Sequence, residues 1–125
     1  MTDNTLHPEI RLRIKLQPQI IIGPGKADIL TGIRETGSIS ATGRLMGMSY
    51  KRIWQLVNQM NHEYCEPLVS TSTGGPHGGG ATLTPTGEKV LKVYEKIITS
   101  AYRAISKEIG TLRKLTVIAQ SGIGH

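Results

Sequence analysis

The chain has 125 residues, room for one compact domain and one extra element. Hydrophobic residues make up 38% of it and Phe is absent, so its core must be built from Ile, Leu, Val, Met and Ala. The net charge of +6 points toward a polyanionic partner, and the one cysteine, Cys65, excludes an intrachain disulfide and suits a reducing compartment.

The first eight residues lack the basic-then-apolar order of a secretion signal, and no apolar run reaches the ~18 residues that span a membrane. A cytoplasmic protein is expected. His7, His62, His77 and His125 are scattered singly, so no metal site and no cofactor is expected.

Residues Ile10 to Leu16 alternate, with Ile10, Leu12, Ile14 and Leu16 on one face and Arg11, Arg13 and Lys15 on the other. Period two predicts a half-buried strand. Pro18 stops it, and Ile20–Ile22 is a short second strand before Gly23-Pro24-Gly25. From Lys26 to Glu35 the period becomes helical, with Ile29, Leu30 and Ile33 inward and Gly37 as C-terminal cap. Ser38 caps a short helix, Ile39 to Met46, whose inner face is read as Ile39, Thr42 and Leu45. Gly47 ends it, Met48 plugs the turn and Ser49 caps a third helix, Tyr50 to Glu63. The inner stripe of that helix is Ile53, Leu56, Val57, Met60 and Tyr64.

Leu68–Thr71 and Ala81–Leu83 flank a glycine-rich loop and read as a hairpin. Thr84-Pro85 opens a long helix, and Gly110 is expected to weaken or end it. On that helix Leu91, Tyr94, Ile98, Ala101 and Ile105 form a coiled-coil-like seam, read as a dimerisation edge. Val90, Val93 and Ile97 make a second apolar edge; one of the two can serve the domain's own core and the other a partner. The predicted fold class is mainly α with small β elements. It is a winged helix-turn-helix with N-terminal strands, a β-hairpin wing and a long C-terminal dimerisation helix. The whole chain, residues 1–125, is read as a single domain, with its core at about 23–84 and the terminal helix at about 85–109.

Around the third helix, Lys51, Gln55, Asn58 and His62 fall opposite the inner stripe, with Arg52 and Gln59 beside them. All six can donate hydrogen bonds. No Asp or Glu occurs between Glu35 and Glu63, whereas a merely solvated face mixes both signs. Double-stranded DNA explains the pattern: Lys or Arg can donate to guanine, and Gln or Asn can pair with adenine, in the major groove. Lys51, Arg52 and Gln55, near the helix start, are the leading base-reading candidates. Ser49 and the first-turn amides can hold a phosphate, Tyr50 can pack on sugar or donate to phosphate, and Arg44 is a candidate backbone clamp. Trp54 sits beside the inner stripe and is read as structural.

The loop Ser70 to Gly80 lacks the Gly-Lys-Ser/Thr ending of a phosphate loop. As a wing tip, its Thr73, Gly75 and His77 could lie along phosphates or enter the minor groove. No nucleophile–base or carboxylate pair emerges, so an enzyme is not expected. The rival reading is a winged-helix protein-interaction adaptor without sequence-specific DNA binding.

Gly23-Pro24-Gly25-Lys26-Ala27, Thr36 to Ala41, Arg44 to Trp54, Glu66-Pro67-Leu68-Val69 and Gly78 to Gly87 together resemble the N-terminal domain of ModE-type molybdate-responsive regulators. The layout is more loosely similar to LysR-type helix-turn-helix domains. The resemblance implies a homodimeric winged-helix transcription factor, with Ser49 to Gln55 at the start of the recognition helix and Thr73 to Gly80 in the wing. Thr42-Gly43 stands where that family tends to carry alanines, which is expected to loosen the second helix. The family's oxyanion-binding domains have no counterpart in these residues, so no molybdate site is expected in this chain.

Overall fold

Proline and glycine punctuate the chain, and its elements form between them. The structure is a computed structural model that describes residues 9–72 and 80–117. In order these form β1 (Ile14–Gln17), β2 (Ile20–Ile22), α1 (Pro24–Thr36), α2 (Ile39–Met46), α3 (Tyr50–Asn61), β3 (Val69–Thr71), β4 (Ala81–Leu83) and α4 (Pro85–Lys114). Two antiparallel pairs, β1–β2 and β3–β4, are the only sheets among the described residues. This is the winged-helix build expected from the sequence. Residues Arg11–Tyr94 form one compact unit, and the part of α4 from Glu95 onward falls in a second.

β1 is shorter than its alternation predicts. Ile10, Leu12 and Ile14 are half-buried, but β2 offers only three residues to pair, so the upstream residues have no ladder partner. The register also shifts between Lys15 and Gln17, and Leu16 leaves the inner face, 47% exposed.

α1 begins at Pro24, where a missing N–H costs nothing, and ends at Gly37, whose φ of 70° closes the helix onto Ile33 O. Its face of Ala27, Ile29, Leu30 and Ile33 is buried. α2 packs against that helix through small groups. A methyl added at Gly32 would lie 2.6 Å from Thr42 Cγ2; Gly43 instead faces the next turn and α3, where an added methyl would lie 3.1 Å from Met48 O and 3.4 Å from Ile53 Cγ2. Thr42 is fully buried; its hydroxyl donates to Ser38 O at 2.8 Å and sits 3.2 Å from Thr36 Oγ1. Thr42 and Gly43 thus sit in close contacts on the inner side of α2. The inner stripe of α2 is Ile39, Thr42, Gly43 and the half-buried Met46. Leu45 lies about a quarter turn or more off this stripe and is 70% exposed, contrary to the sequence reading.

Ile29, Leu30, Ile33, Ile53, Val57 and Leu68 are wholly buried, closed over by Met60, Leu91 and Tyr94. Truncating any large member to Ala is worth about 2–5 kcal/mol of stability. The Tyr94 hydroxyl donates to Leu12 O at 2.7 Å, which ties the start of α4 to the segment before β1. Burial pushes the Tyr94 phenol above its usual range; Arg11 pulls it down and Asp28 pushes it up by smaller amounts.

α4 starts as predicted. Thr84 Oγ1 accepts the Gly87 N–H at 2.9 Å, and the same hydroxyl donates to Pro67 O at 2.6 Å. A Cβ at Gly87 would overlap the Leu68 carbonyl, so only glycine lets α4 lie this close to the root of β3. Gly110 does not end the helix, which runs on to Lys114. One interior glycine costs about 1 kcal/mol, and a helix of 30 residues with Arg113 and Lys114 in its last turn absorbs that.

Candidate nucleic-acid interface

Ser49 starts the site. Its side chain accepts the Arg52 N–H at 3.1 Å, and no acidic residue lies in the first turn of α3. The unsatisfied amides there carry positive partial charge into the surface that Lys51 and Arg52 extend. Ile53, Val57 and Met60 are buried, which fixes the rotation of the helix. Lys51, Arg52, Gln55, Asn58, Gln59 and His62 are all exposed, as the helical wheel requires. Arg44, in the last turn of α2, is exposed as well.

The two halves of this surface differ. No hydrogen bond or ion pair among the described residues engages the side chains of Arg44, Lys51, Arg52 or Gln55. Further along, Gln59 Nε2 donates to Glu63 at 2.8 Å, and the His62 ring pairs with Asn58 O at 2.8 Å. Glu63 is in turn 3.4 Å from Lys26 Nζ, which also donates to Ile21 O at 2.9 Å. Gln59 thus lines a cleft with Arg13, Gln19 and Lys26, to one side of the outer face. Burial, then the Glu63 charge, pushes the Tyr64 phenol upward.

Two residues shape the site: Asn61, to which the sequence analysis gives no role, and Trp54, which it reads as structural. Asn61 closes α3 and holds the base of the hairpin: its Oδ1 accepts the N–H groups of Leu68 and Val69 at 2.8 and 3.0 Å. Its Nδ2 donates to Val69 O at 3.0 Å. Trp54 lines a shallow groove on α3 together with Tyr50, Lys51, Gln55 and Asn58. Its indole N–H donates to the Tyr50 hydroxyl at 2.7 Å. The signal for Trp54 was present in the sequence: it follows Tyr50 by one helical turn, on the side of α3 next to Asn58.

The hairpin root is anchored on its other strand too. Ala81 N–H donates to Gly37 O at 2.9 Å, and Ser72 and Gly80 close the ladder through Ser72 N–H to Gly80 O at 3.0 Å. Thr73, Gly75 and His77 lie outside the described residues.

Of the residues read as a dimer seam, Leu91 and Tyr94 are buried in the domain's own core, at 1% and 5% exposure. That corrects the reading: they cannot face a partner while they fill this core. Ile98, Ala101 and Ile105 are half-buried. The exposed large apolar side chains of α4 are Val93, Ile97 and Leu112.

No helix among the described residues is long and apolar enough to cross a membrane. No family model matches the chain. Over 99 residues it is 40% identical to the transcriptional regulator ModE of Yersinia pestis, covering 79% of this chain and 38% of that protein. It is 41% identical over 85 residues to the molybdenum-pterin-binding protein MopB of Rhodobacter capsulatus, covering 68% of this chain and 32% of that one. It is 38% identical over 90 residues to the DNA-binding transcriptional dual regulator ModE of Escherichia coli, covering 72% and 34%. The chain thus spans about a third of the length of the curated relatives it matches. Among solved structures, full-length LysG of Corynebacterium glutamicum, a LysR-type regulator with bound arginine, aligns with TM-score 0.54 at 22% identity. It covers 74% of this chain and 30% of that one, and supports the fold. Across the matched stretch the chain is similar to the ModE-type regulators, and it folds as a winged helix.

Proposed function

We propose that this chain is a transcriptional regulator that binds double-stranded DNA with α3 in the major groove and the β3–β4 hairpin as its wing. One observation carries the reading: the outer face of α3 is exposed, rich in hydrogen-bond donors and free of acidic groups. Lys51, Arg52 and Gln55 read base edges in this arrangement. Ser49, Tyr50 and Arg44 hold the backbone, and Asn58 and Gln59 extend the contact along the groove. Thr73, Gly75 and His77 would reach phosphates from the wing. The names of the ModE relatives support the same reading.

The regulator acts as a homodimer on a two-fold related site, with α4 as the dimer helix. Its partner edge is Val93 and Ile97, continued by Ile98, Ala101 and Ile105. No catalytic step, cofactor or molybdate site in these residues is part of the proposal, and the protein acts in the cytoplasm.

The test is selection of duplexes from a random pool, followed by affinity measurement at several salt concentrations. A retained sequence family and a log–log salt slope of about −0.9 per phosphate contact are expected. Retention of no duplex, or binding indifferent to salt, would overturn the reading in favour of a protein-interaction adaptor.

A further inference from the structure

The groove on α3 is not purely polar. Two aromatic rings, Tyr50 and Trp54, form one wall beside Lys51, Gln55 and Asn58. Tyr50 is 54% exposed, an unusual place for a large ring in a chain with so few aromatics. The rings are hydrogen-bonded to each other. The indole N–H of Trp54 donates to the Tyr50 oxygen at 2.7 Å across one helical turn, which sets each ring against the other. The Tyr50 hydroxyl accepts that bond and keeps its own proton to donate to the backbone, as proposed above, which leaves the ring face for an apolar contact. A pre-arranged apolar surface needs little further ordering when it is covered.

The major groove offers such a surface one apolar feature. Each base pair there shows acceptors or donors, and only thymine adds a methyl group, at C5. The neighbours of the ring pair are groups suited to base edges, and no acidic side chain stands among them to repel the duplex. Resting on the DNA-reading proposal above, we infer that the Tyr50–Trp54 pair is a specificity device that packs against a thymine C5-methyl in the major groove. Trp54 then belongs to the reading surface. Lys51 and Gln55 supply hydrogen bonds beside it, and the ring pair selects for thymine by removing its methyl from water.

The experiment uses the full chain and a duplex it retains from a random pool. Each thymine is replaced singly by deoxyuridine, which deletes the methyl and keeps the pairing edge. At one or more thymines the wild-type protein should lose about three- to fivefold in affinity, the value of burying one methyl-sized group. That penalty should vanish in Trp54→Ala and in Tyr50→Ala. It should persist in Lys51→Ala, even though binding there is weaker overall. Tyr50 is the more exposed ring, so Tyr50→Ala keeps the test decisive should Trp54→Ala fail to fold.

Trp54 is also the chain's one tryptophan, so its fluorescence reports the contact directly. Bound duplex should shield it from acrylamide. A bound duplex with no deoxyuridine penalty anywhere, or with a penalty unchanged in both ring variants, overturns the inference and leaves the DNA-reading proposal standing. So does an indole quenched equally with and without duplex. Retention of no duplex overturns both.

Discussion

The two halves of α3 share one helix and one outer face, but they are held differently. In the first half, Lys51, Arg52 and Gln55 project from a capped helix start with no ties among the described residues. In the second half and just past its end, Gln59, Asn61, His62 and Glu63 are spent on neighbours: Glu63 on Lys26, Asn61 on Leu68 and Val69. The difference teaches where a small domain can leave donors idle. The helix start is positioned by its cap and its buried stripe alone, so its polar side chains remain available. The helix end must also aim the hairpin, and that uses up its polar groups.

On α3 the largest expected effect falls on the committed half. Asn61→Ala strands two buried backbone N–H groups and one carbonyl. It should lower stability by about 3 kcal/mol or more in chemical denaturation, since each of the three orphaned groups costs roughly 1–3 kcal/mol. Asn58→Ala, on the exposed face, should stay within about 0.5 kcal/mol of wild type. Equal effects for the two would erase the distinction between the halves.

The free half should respond in affinity and not in stability. Lys51→Ala or Arg52→Ala should weaken specific binding by about 1–3 kcal/mol if the side chain reads a base, with the melting temperature unchanged. A drop in melting temperature without a change in affinity would show that the free half is structural after all.

The same division into committed and idle groups recurs on α4. Ile97→Asp should yield folded monomers in sedimentation, whereas Leu91→Asp should unfold the domain because Leu91 is buried in its core. A folded Ile97→Asp dimer would place the partner edge elsewhere.

The smallest effect concerns Glu63. Glu63→Gln removes the charge facing Lys26 while leaving an amide oxygen that can still accept from Gln59, and across a long 3.4 Å pair the change should cost about 1 kcal/mol. Stability should fall by no more than that. Affinity for DNA should hold or rise, because a negative charge beside the interface is gone. Weaker DNA binding would mean that Glu63 positions Gln59 for the contact.

Much of the fold was legible because it depends on local rules. Ser38, Gly37, Gly47, Ser49 and Pro85 mark helix ends through caps and backbone freedom that need no tertiary partner. The inner stripe of α3 and its acid-free face follow from a turn of 100° per residue and the order of residues. Leu45 was misplaced because period alone cannot say that the buried edge of α2 runs through the small residues Thr42 and Gly43. Gly110 was over-weighted because a local penalty is outvoted along a helix of this length.

By itself, the sequence determined the order of elements, the caps and the polar outer face of α3. Each is set by neighbours within a few residues along the chain. The tertiary structure alone decided which apolar edge of α4 fills the core and that Asn61 aims the hairpin. Those outcomes depend on which surfaces meet across long sequence separations, where Gly32 and Gly87 set how closely the backbones approach.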